Sequence, residues 1–530
     1  MTETFDFVIV GGGTAGLVTA ARLSELPDVS VLVLEAGSAK DDPLIEVPEL
    51  WSQTNLSEFD WSYLTEPQPA MGGETVYSAA GRGLGGSSSI YHMIHNRGRD
   101  ADYDSWAYGG AAGWSARDVL PYLQRVENQK DGTNPTAGLD GPINVVNAGD
   151  EGNPVSQSFV DGCVELGYPQ VADVNVDYFG VGWHHLDITP DGKRGGVRAG
   201  YYEPARDRAN LTVRAEATAT RLLFEGTRCV GVEYVHEGTL TTVRADREVV
   251  LSSGAIESPK LLLLSGVGDP EQLAEFGIDV VADLPGVGEN YQNHPLVIGP
   301  TGYMDKPGPT EGVINEPVLF WGSEPGLLAP DLELWFLPRA PWGEKLIEKL
   351  VEWKATGSVS SVHEQDHVDP HLVIMLPAVV RPLSRGWIKL RSADPLARPR
   401  VNPNFYAERA DLVRATDCTE IAREVFRTKA FTSRWGVKEV APGPDVRTRA
   451  ELETWVSRNT GSYHHYSGTC KMGIDELSVV DSRLRVHGIQ GLRVADTSIM
   501  PTIVSAHTHT TAVMIGERAA DFIKNDLAAA

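Results

Sequence analysis

A glycine-rich stretch near the start of the chain has the residue types and spacing of a phosphate-binding turn. It fits the pattern G-x-G-x-x-G and consists of Gly11, Gly12, Gly13, Thr14, Ala15 and Gly16. Glycines let the main chain approach a pyrophosphate, which rests on the N-terminus of the helix that follows. Glu35 follows at the distance at which a carboxylate binds ribose hydroxyls, and its charge disfavours a 2′-phosphate. The pattern predicts a dinucleotide site in which FAD or NAD fits better than NADP.

The segments around this turn have the order of a βαβ unit. The apolar run Phe5–Val10 predicts a strand, and Leu17–Leu26 has helical spacing that Pro27 ends. Val29–Leu34 is a second apolar run and leads into Glu35. Because the glycine turn lies between the first strand and the helix, its N–H groups meet the helix N-terminus, as a nucleotide site requires.

The rest of the chain predicts two kinds of sheet. Strands that extend the first unit are predicted at Leu211–Val213, Arg221–Glu225, Cys229–Val235, Arg247–Leu251 and Leu492–Ala495. Further strands are predicted at His371–Pro377 and Gly386–Arg391, in a region rich in Pro and Trp. We therefore expect an α/β fold, with a discontinuous Rossmann-like domain and an inserted α+β domain that contains an antiparallel sheet. The first domain is expected to comprise residues 1–155, 200–298 and 460–530, and the second residues 156–199 and 299–459.

The composition excludes several classes of function. The 530 residues include 72 acidic and 46 Lys or Arg side chains, for a net charge of −26 at pH 7. This charge repels a phosphate backbone and an anionic membrane surface, so we expect neither nucleic acid nor membrane as a partner. No apolar run reaches the roughly 18 residues of a transmembrane helix. Four dispersed cysteines without a C-x-x-C pair, and an acidic N-terminus without a signal-peptide pattern, favour a cytoplasmic protein.

Four further segments carry a resemblance to a known family. They are Gly81–Ser89, Gly254–Lys260 continuing through Ser265–Gly268, Pro285–Asn290, and the run from Gly491 to Glu517. Together with the first glycine turn, they stand in the order found in the glucose–methanol–choline (GMC) family of flavin oxidoreductases, which the chain resembles over essentially its whole length. The glycines of Gly81–Ser89 also suit a cofactor loop, since they let main-chain N–H groups approach a planar ring.

The resemblance implies a bound FAD, held by the first domain and covered by the second. The residues that match cofactor contacts of the family are Gly11, Gly13, Thr14, Ala15, Gly16, Glu35, Arg82, Gly85, Gly86, Ser87, Ala219, Asp496 and His507. Some members attach FAD covalently through a histidine just after the Ser-Ser of the second loop. That place is Ile90 here, so we expect noncovalent FAD. His92 either lines the flavin face or is a buried structural histidine.

Two histidines match the catalytic pair of the family. His465 lies in a segment that resembles the H-P-x-G-T stretch, with Tyr466 in the place of proline, and the neighbouring His464 is the alternative. His507 matches a position at which members carry His or Asn. Imidazole titrates near neutrality, so His465 can accept the hydroxyl proton of an alcohol while a hydride leaves the carbon, and His507 can stabilise the alkoxide. No acidic or cysteine ligand accompanies them at metal-binding spacing, so no metal is expected.

The candidate substrate-binding residues depend on weaker matches to the family. Trp61 lies in a segment that resembles the substrate entrance of choline oxidases, although a core tryptophan is an equal alternative. Glu316 matches in spacing a glutamate that faces the quaternary ammonium in those enzymes, where a carboxylate attracts a cation; the alternative is a solvated loop residue. Tyr463 and His464, beside the catalytic histidine, are further candidates, and Trp342 adds aromatic surface.

These observations predict an FAD-dependent enzyme that oxidises a small primary alcohol to the aldehyde. A benzyl, furfuryl or pyridoxine-like alcohol is the preferred substrate, and dioxygen or another acceptor would take the electrons. A choline-type alcohol oxidase is the alternative substrate class. Two alternative functions are a flavin-containing lyase of the hydroxynitrile lyase kind and, on the first motif alone, an NAD-dependent dehydrogenase.

Overall fold

The computed structural model describes residues 3–312, 316–340, 352 and 369–529, so the aromatic candidate Trp342 lies outside the described residues. The helices are α1 (Thr14–Leu23), α2 (Pro43–Glu46), α3 (Asp100–Tyr108), α4 (Ala116–Val126), α5 (Pro154–Glu165), α6 (Glu203–Ala205), α7 (Gly254–Leu264), α8 (Pro270–Glu275), α9 (Arg409–Arg427), α10 (Lys429–Trp435), α11 (Arg449–Arg458) and α12 (Thr508–Ala529). Among the described residues, no helix combines the length and the apolar content needed to cross a membrane.

The strands follow in chain order. They are β1 (Glu3–Val10), β2 (Val31–Leu34), β3 (Tyr63–Leu64), β4 (Tyr77–Ser78), β5 (Glu127–Gln129), β6 (Ile143–Asn147), β7 (Gly180–Trp183), β8 (His185–Asp187), β9 (Leu211–Arg214), β10 (Ala217–Glu225), β11 (Arg228–His236), β12 (Thr239–Leu251), β13 (Val267–Gly268), β14 (Ala282–Asp283), β15 (Pro295–Val297), β16 (Thr301–Tyr303), β17 (Pro317–Trp321), β18 (Leu332–Leu337), β19 (Leu372–Val379), β20 (Trp387–Lys389), β21 (Arg400–Asn402), β22 (Lys438–Ala441), β23 (Thr460–Ser462) and β24 (Leu492–Val494).

The first large sheet has seven strands and a parallel centre. Its order is β10-β11-β12-β1-β2-β9, and β24 pairs with β12. β1 runs parallel to β2 and β12, whereas β10, β11 and β12 form an antiparallel meander. In this register Val8 lies between Leu32 and Val249, and all three side chains are fully buried. Buried apolar runs of this kind are typical of strands covered on both faces.

The second large sheet has eight antiparallel strands. Its order is β22-β16-β19-β18-β17-β7, and β15 joins β19 to β23. In β18, Leu332, Leu334 and Phe336 pack into the apolar core that also contains side chains of α5 and α9. The alternate residues of the strand point to the opposite face, because side chains of a strand alternate between its two sides. That opposite face is the side of the sheet on which the functional site lies.

The carboxyl ends of the parallel strands meet at one edge of the first sheet. β1 ends at Val10 before the glycine turn, β2 leads into Glu35, β12 leads into Ser252, and β24 is followed closely by Asp496. In open α/β sheets, ligands bind in the crevice outside this edge. The sheet therefore gathers the nucleotide-binding residues that are distant in sequence.

The predicted α/β architecture with an inserted antiparallel sheet is confirmed. The strand expected at Arg247–Leu251 is the end of the longer β12, whose preceding residues are mostly exposed or half-buried and therefore form no apolar run. β15 and β23 pair with each other within the second sheet, although the expected boundaries put both in the first domain. The domain ranges otherwise stay a prediction.

Candidate active site

A cavity runs from the carboxyl edge of the first sheet to the inner face of the second. Val10, Glu35 and Ser252 line its first end, and Trp335, His465 and His507 line its other end. The nucleotide motif and the two predicted catalytic histidines therefore share one continuous space. A long dinucleotide with a reactive ring at one end suits this arrangement.

The first glycine turn forms a cradle open to this cavity. Gly11, Gly13, Thr14 and Ala15 line it, and α1 begins at Thr14 without a side-chain cap from Gly13. The N–H groups of the first helical turn are therefore available to a phosphate, which the helix dipole also favours. Gly11 has a φ of +104°, and a Cβ there would lie 2.4 Å from the carbonyl oxygen of Ser252. The turn needs glycine at that position.

Glu35 lies at the end of β2 with its carboxylate beside the cradle. Its Oε2 accepts the N–H of Gly12 at 2.9 Å, and its Oε1 accepts the N–H of Gly37 at 2.8 Å. Burial raises the pKa of Glu35 to about 7, against the opposing effect of these N–H groups. Because each carboxylate oxygen has two lone pairs, acceptor capacity is left for ribose hydroxyls. The residues present fit an FAD of extended shape.

The other predicted cofactor residues divide into two groups. Those that line the cavity are Gly86, Ser87, Ala219, Asp496 and His507. Gly16, Gly85 and Arg82 do not line it. A Cβ on Gly16 would lie 2.0 Å from the carbonyl oxygen of Gly11, and Gly85 has a φ of +97°, so the turns themselves require glycine at both positions. Their contact with the cofactor stays a prediction. The Arg82 guanidinium lies 5.2 Å over the ring of Trp61.

His465 and His507 lie beside each other on the cavity wall. Their ring centroids are 4.9 Å apart, and the ring planes cross at 66°. His465 follows β23, and its N–H donates to Asn293 Oδ1 at 3.0 Å. His507 directly precedes α12, and the preceding loop is held by Asp102, which accepts the N–H of Ser505 at 2.8 Å. Two different parts of the chain thus fix the pair.

His465 is held by a further histidine. Its Nδ1 lies 2.9 Å from Nδ1 of His294, the residue that precedes β15. This contact leaves Nε2 of His465 for a molecule in the cavity. Burial, with the nearby His507 and His294, places the pKa of His465 well below its usual range. Burial likewise lowers the pKa of His294 to about 3. His465 is therefore neutral near pH 7 and has the form that accepts a proton.

His507 is held by a carboxylate and a phenol. Its Nε2 lies 3.0 Å from Glu333 Oε1 and 3.2 Å from the Tyr463 hydroxyl, and this hydroxyl donates to Glu333 Oε1 at 2.7 Å. Glu333 is the second residue of β18 and is completely buried. Tyr463 also stacks on His465, with ring centroids 4.4 Å apart. Tyr463 lines the cavity as expected and contacts both histidines.

Aromatic side chains form the wall opposite the nucleotide cradle. Trp51, Trp61, His92 and Trp335 all line the cavity. The His92 ring contacts Trp51 edge-on at 4.0 Å and Trp335 at 5.1 Å between centroids, and Trp335 stacks on Tyr463 at 5.9 Å. Burial keeps the pKa of His92 well below its usual range, so the ring is neutral. The wall is therefore aromatic, and the imidazole of His92 within it is uncharged.

His464 and Glu316 differ in their placement. His464 lines the cavity, but its Nδ1 accepts the N–H of Ala79 at 3.1 Å and lies 3.0 Å from the Tyr466 hydroxyl. Glu316 is a correction to expectation, because its side chain is neither solvated nor on the cavity wall. It is buried, and its carboxylate accepts the N–H of Asn153 at 3.0 Å and the Ser156 hydroxyl. These two hydrogen bonds at the start of α5 hold the carboxylate away from the cavity.

A second buried polar network lies behind the cavity. Asp187 accepts the Tyr91 hydroxyl at 2.8 Å and lies 2.7 Å from His95 Nδ1, and His95 Nε2 lies 3.1 Å from Glu127. Burial disfavours charge on His95, yet the two carboxylates outweigh it and raise the pKa of His95 to about 10. This imidazolium between two carboxylates joins β8, β5 and the segment that follows Tyr91. Tyr91 itself lines the cavity.

Sequence reasoning missed Glu333, His294 and His184. A carboxylate inside the apolar strand Leu332–Leu337 was the available signal for Glu333. His294 stands just beyond the family segment Pro285–Asn290, although no role was assigned to it, and His184 had no signal. His184, Glu333 and His507 offer ligand atoms within 4.8 Å of one another, a spacing suited to a metal ion. However, Nε2 of His507 and Oε1 of Glu333 are already engaged with each other and with the Tyr463 hydroxyl. We therefore assign Glu333 to the histidine pair.

Comparisons with known proteins agree with this geometry. The family model described as GMC oxidoreductase matches in two parts, residues 5–296 and 382–516. An oxygen-dependent choline dehydrogenase from Klebsiella pneumoniae is 37% identical, covering 98% of this chain and 96% of the relative, and one from Brucella anthropi is 36% identical, with 98% and 95% covered. The structure of pyridoxine 4-oxidase from Mesorbium loti matches with a TM-score of 0.89 at 29% identity, covering 98% and 99% of the two chains. A fungal aryl-alcohol oxidase matches at 0.80 and 25% identity, covering 99% and 100%.

The fold, the dinucleotide cradle and the histidine pair define an FAD-dependent alcohol oxidoreductase. The chain belongs to the GMC oxidoreductase family. The resemblance expected from the five sequence segments is thereby confirmed.

Proposed function

We propose that this enzyme oxidises a small aromatic or heteroaromatic primary alcohol to the aldehyde, with FAD held noncovalently. The observation that carries the proposal is that His465 and His507 share one cavity with the nucleotide cradle and with a wall of aromatic side chains. An aromatic ring stacks favourably on such a wall, and its hydroxymethyl group would then meet the histidines. The position used for covalent attachment in some relatives is Ile90, which lines the cavity and offers no nucleophilic nitrogen.

The two histidines divide the work on the hydroxyl group. FAD, when bound, supplies the acceptor for the hydride that leaves the carbinol carbon. Neutral His465 accepts the hydroxyl proton at Nε2, because Nδ1 is occupied by His294. His507, fixed by Glu333 and Tyr463, stabilises the charge that develops on the oxygen. The aromatic side chains exclude water from the wall. The alcohol thus loses one proton and one hydride and leaves as the aldehyde.

A choline-type alcohol is the second candidate substrate. Relatives named oxygen-dependent choline dehydrogenase, at 36–37% identity, favour it. Against it, the carboxylate expected to bind the ammonium group, that of Glu316, is engaged at the start of α5. Cation–π contacts with the tryptophans would be the remaining source of affinity for a quaternary ammonium.

For either substrate class, dioxygen or another acceptor takes the electrons from the reduced flavin. A cytoplasmic location stays a prediction.

A stopped-flow screen of alcohols tests the proposal. The holoenzyme is mixed without oxygen with benzyl alcohol, furfuryl alcohol, pyridoxine or choline, and bleaching of the visible flavin band is followed. We expect the aromatic alcohols to give the larger ratio of reduction rate to apparent dissociation constant. A larger ratio for choline would refute the aromatic proposal and leave the histidine chemistry intact. Absence of reduction by all four alcohols would contradict both.

A further inference from the structure

A buried carboxylate lies behind the histidine pair, on the second sheet. Glu333 Oε1 contacts both the Tyr463 hydroxyl and Nε2 of His507, while Oε2 has no hydrogen-bond partner among the described residues. An ionised carboxylate buried in this way is costly unless positive charge lies close to it. His507, at 3.0 Å, is the group in contact that can carry such a charge.

The hydrogen bonds determine which nitrogen of His507 carries a proton. An ionised carboxylate can only accept hydrogen bonds, and the single hydroxyl proton of Tyr463 is donated to Glu333. Nε2 of His507 is therefore the donor in its contact with Glu333. Nδ1 is the nitrogen left to meet a molecule in the cavity. In a neutral ring, Nδ1 carries a lone pair and cannot donate to an alkoxide.

This constraint conflicts with a neutral His507 as the group that stabilises the alkoxide. Only the imidazolium has a proton on both nitrogens, so that Nε2 can donate to Glu333 while Nδ1 donates to the substrate oxygen. On the basis of the proposed alcohol oxidation, we infer that Glu333 is a positioning residue that keeps His507 doubly protonated. His507 is then the charged donor, and His465 is the neutral acceptor.

The groups around His507 and Glu333 include one fixed positive charge, the Arg99 guanidinium, which acts electrostatically on Glu333 without a hydrogen bond to it among the described residues. The titratable or charged groups that face His507 or Glu333 are His92, Arg99, His184, His294, Cys418, Tyr463 and His465. Burial lowers the pKa of each of these four other histidines, with the nearby His507 as a further cause, so they stay neutral and offer no counter-charge. Within the described residues, Glu333 is the carboxylate that hydrogen-bonds to His507. The two imidazoles of the pair thus differ in protonation because Glu333 hydrogen-bonds to His507 and not to His465.

The test substitution is Glu333→Gln. The amide keeps the size and can still accept from Nε2, but it removes the negative charge. Loss of a charged donor to the oxyanion is expected to reduce the rate of flavin reduction at pH 8 by about 10²–10³-fold. The loss is expected to shrink as the pH is lowered, because His507 then regains its proton without help. Accordingly, the alkaline decline of the rate begins at lower pH in the variant than in the wild type.

Matched variants separate this role from a structural one. Glu316→Gln makes the same change in a second buried glutamate whose side chain hydrogen-bonds to Asn153 and Ser156 and not to His465 or His507, and we expect its pH profile to match that of the wild type. Glu333→Asp keeps the negative charge. The alkaline limb of its profile of flavin-reduction rate against pH should therefore return toward the wild-type position, even where the overall rate is reduced. Tyr463→Phe removes a neutral donor and should lower the rate without moving the alkaline limb.

A measurement that does not depend on turnover completes the test. The C2-proton exchange of His507, followed by mass spectrometry of the holoenzyme, reports its protonation as a function of pH. We expect the exchange of His507 in Glu333→Gln to show loss of the second proton at lower pH than in the wild type. Coincident exchange curves, or a pH profile that is the same in Glu333→Gln and the wild type, would overturn the inference. If no aromatic alcohol reduces the flavin, the proposed substrate fails, and the exchange curves still decide the role of Glu333.

Discussion

Replacement of His465 by alanine is the sharpest perturbation of the proposed chemistry. A positioned general base contributes about 10²–10⁴-fold to a rate. Two other imidazoles lie close to His465, with ring centroids at 4.9 Å for His507 and 5.1 Å for His294. His507 has Nε2 engaged by Glu333, and His294 does not line the cavity, so neither is placed to replace the lost base. We expect flavin reduction to slow by about 10³–10⁴-fold, equivalent to about 4–5.5 kcal/mol of transition-state stabilisation.

The assay is anaerobic stopped-flow reduction of the bound flavin by the best alcohol of the screen. Single-turnover reduction reports the chemical step without product release or reoxidation. The variant must first be shown to contain FAD, because His465 also stacks on Tyr463 at 4.4 Å and its loss loosens that contact. Added imidazole gives a second readout: it enters the space left by the ring and should restore part of the rate.

His464→Ala is the matched control. His464 is the neighbouring residue and lines the same cavity, but its Nδ1 is occupied by the N–H of Ala79. We expect it to slow reduction by less than about 10-fold, a change of roughly 1.4 kcal/mol. A greater loss in His464→Ala than in His465→Ala would show that the base is the neighbour. An unchanged rate in His465→Ala would refute the reasoning from burial and tautomer altogether.

Three further predictions concern stability and cofactor binding. Asp187→Asn removes a partner of the buried His95 and should lower the free energy of unfolding by about 3–5 kcal/mol in chemical denaturation. Because the pKa of His95 is raised to about 10, the stabilisation in the wild type is full below pH 6.5 and is lost as the pH rises toward 10. Equal losses of stability in the variant at pH 6 and pH 10 would contradict this prediction. Gly86→Ala places a Cβ 2.7 Å from Cα of Gly13 at a φ of +55°, and the purified variant should retain less FAD than the wild type by absorbance. Acid precipitation of the wild type should release its flavin into the supernatant because Ile90 replaces the attachment histidine, and flavin that stays with the protein pellet would show a covalent bond.

Much of the architecture follows from local sequence patterns. The strand, glycine turn and helix that begin the chain are specified within residues 5–34 by apolar runs and by glycines whose backbone approach excludes a side chain. The histidine pair was predictable because each histidine lies in a short segment with family spacing. Gly16 and Gly85 are predicted to contact the cofactor for the same reason, and the structure shows that the packing of the turns also requires glycine there, a need that a motif does not distinguish from ligand contact.

Other features depended on pairing between distant strands. His294 meets His465 because β15 pairs with β23, with Pro295 opposite Ser462. Glu333 reaches His507 because β18 lies next to β17 and β19, and the alternation of the strand turns its second residue toward the site. Glu316 was placed wrongly because spacing gave its position in the chain but not the direction of its side chain.

By itself, the sequence predicted a dinucleotide site from its local glycine spacing, and its resemblance to the GMC family implied FAD, the reaction type and the two catalytic candidates. Only the tertiary structure decided how those histidines differ. Burial lowers the pKa of His465 and keeps it neutral, while a carboxylate from the second sheet contacts His507. Desolvation and charge pairing depend on which strands lie side by side, and that information is spread over more than a hundred residues of chain.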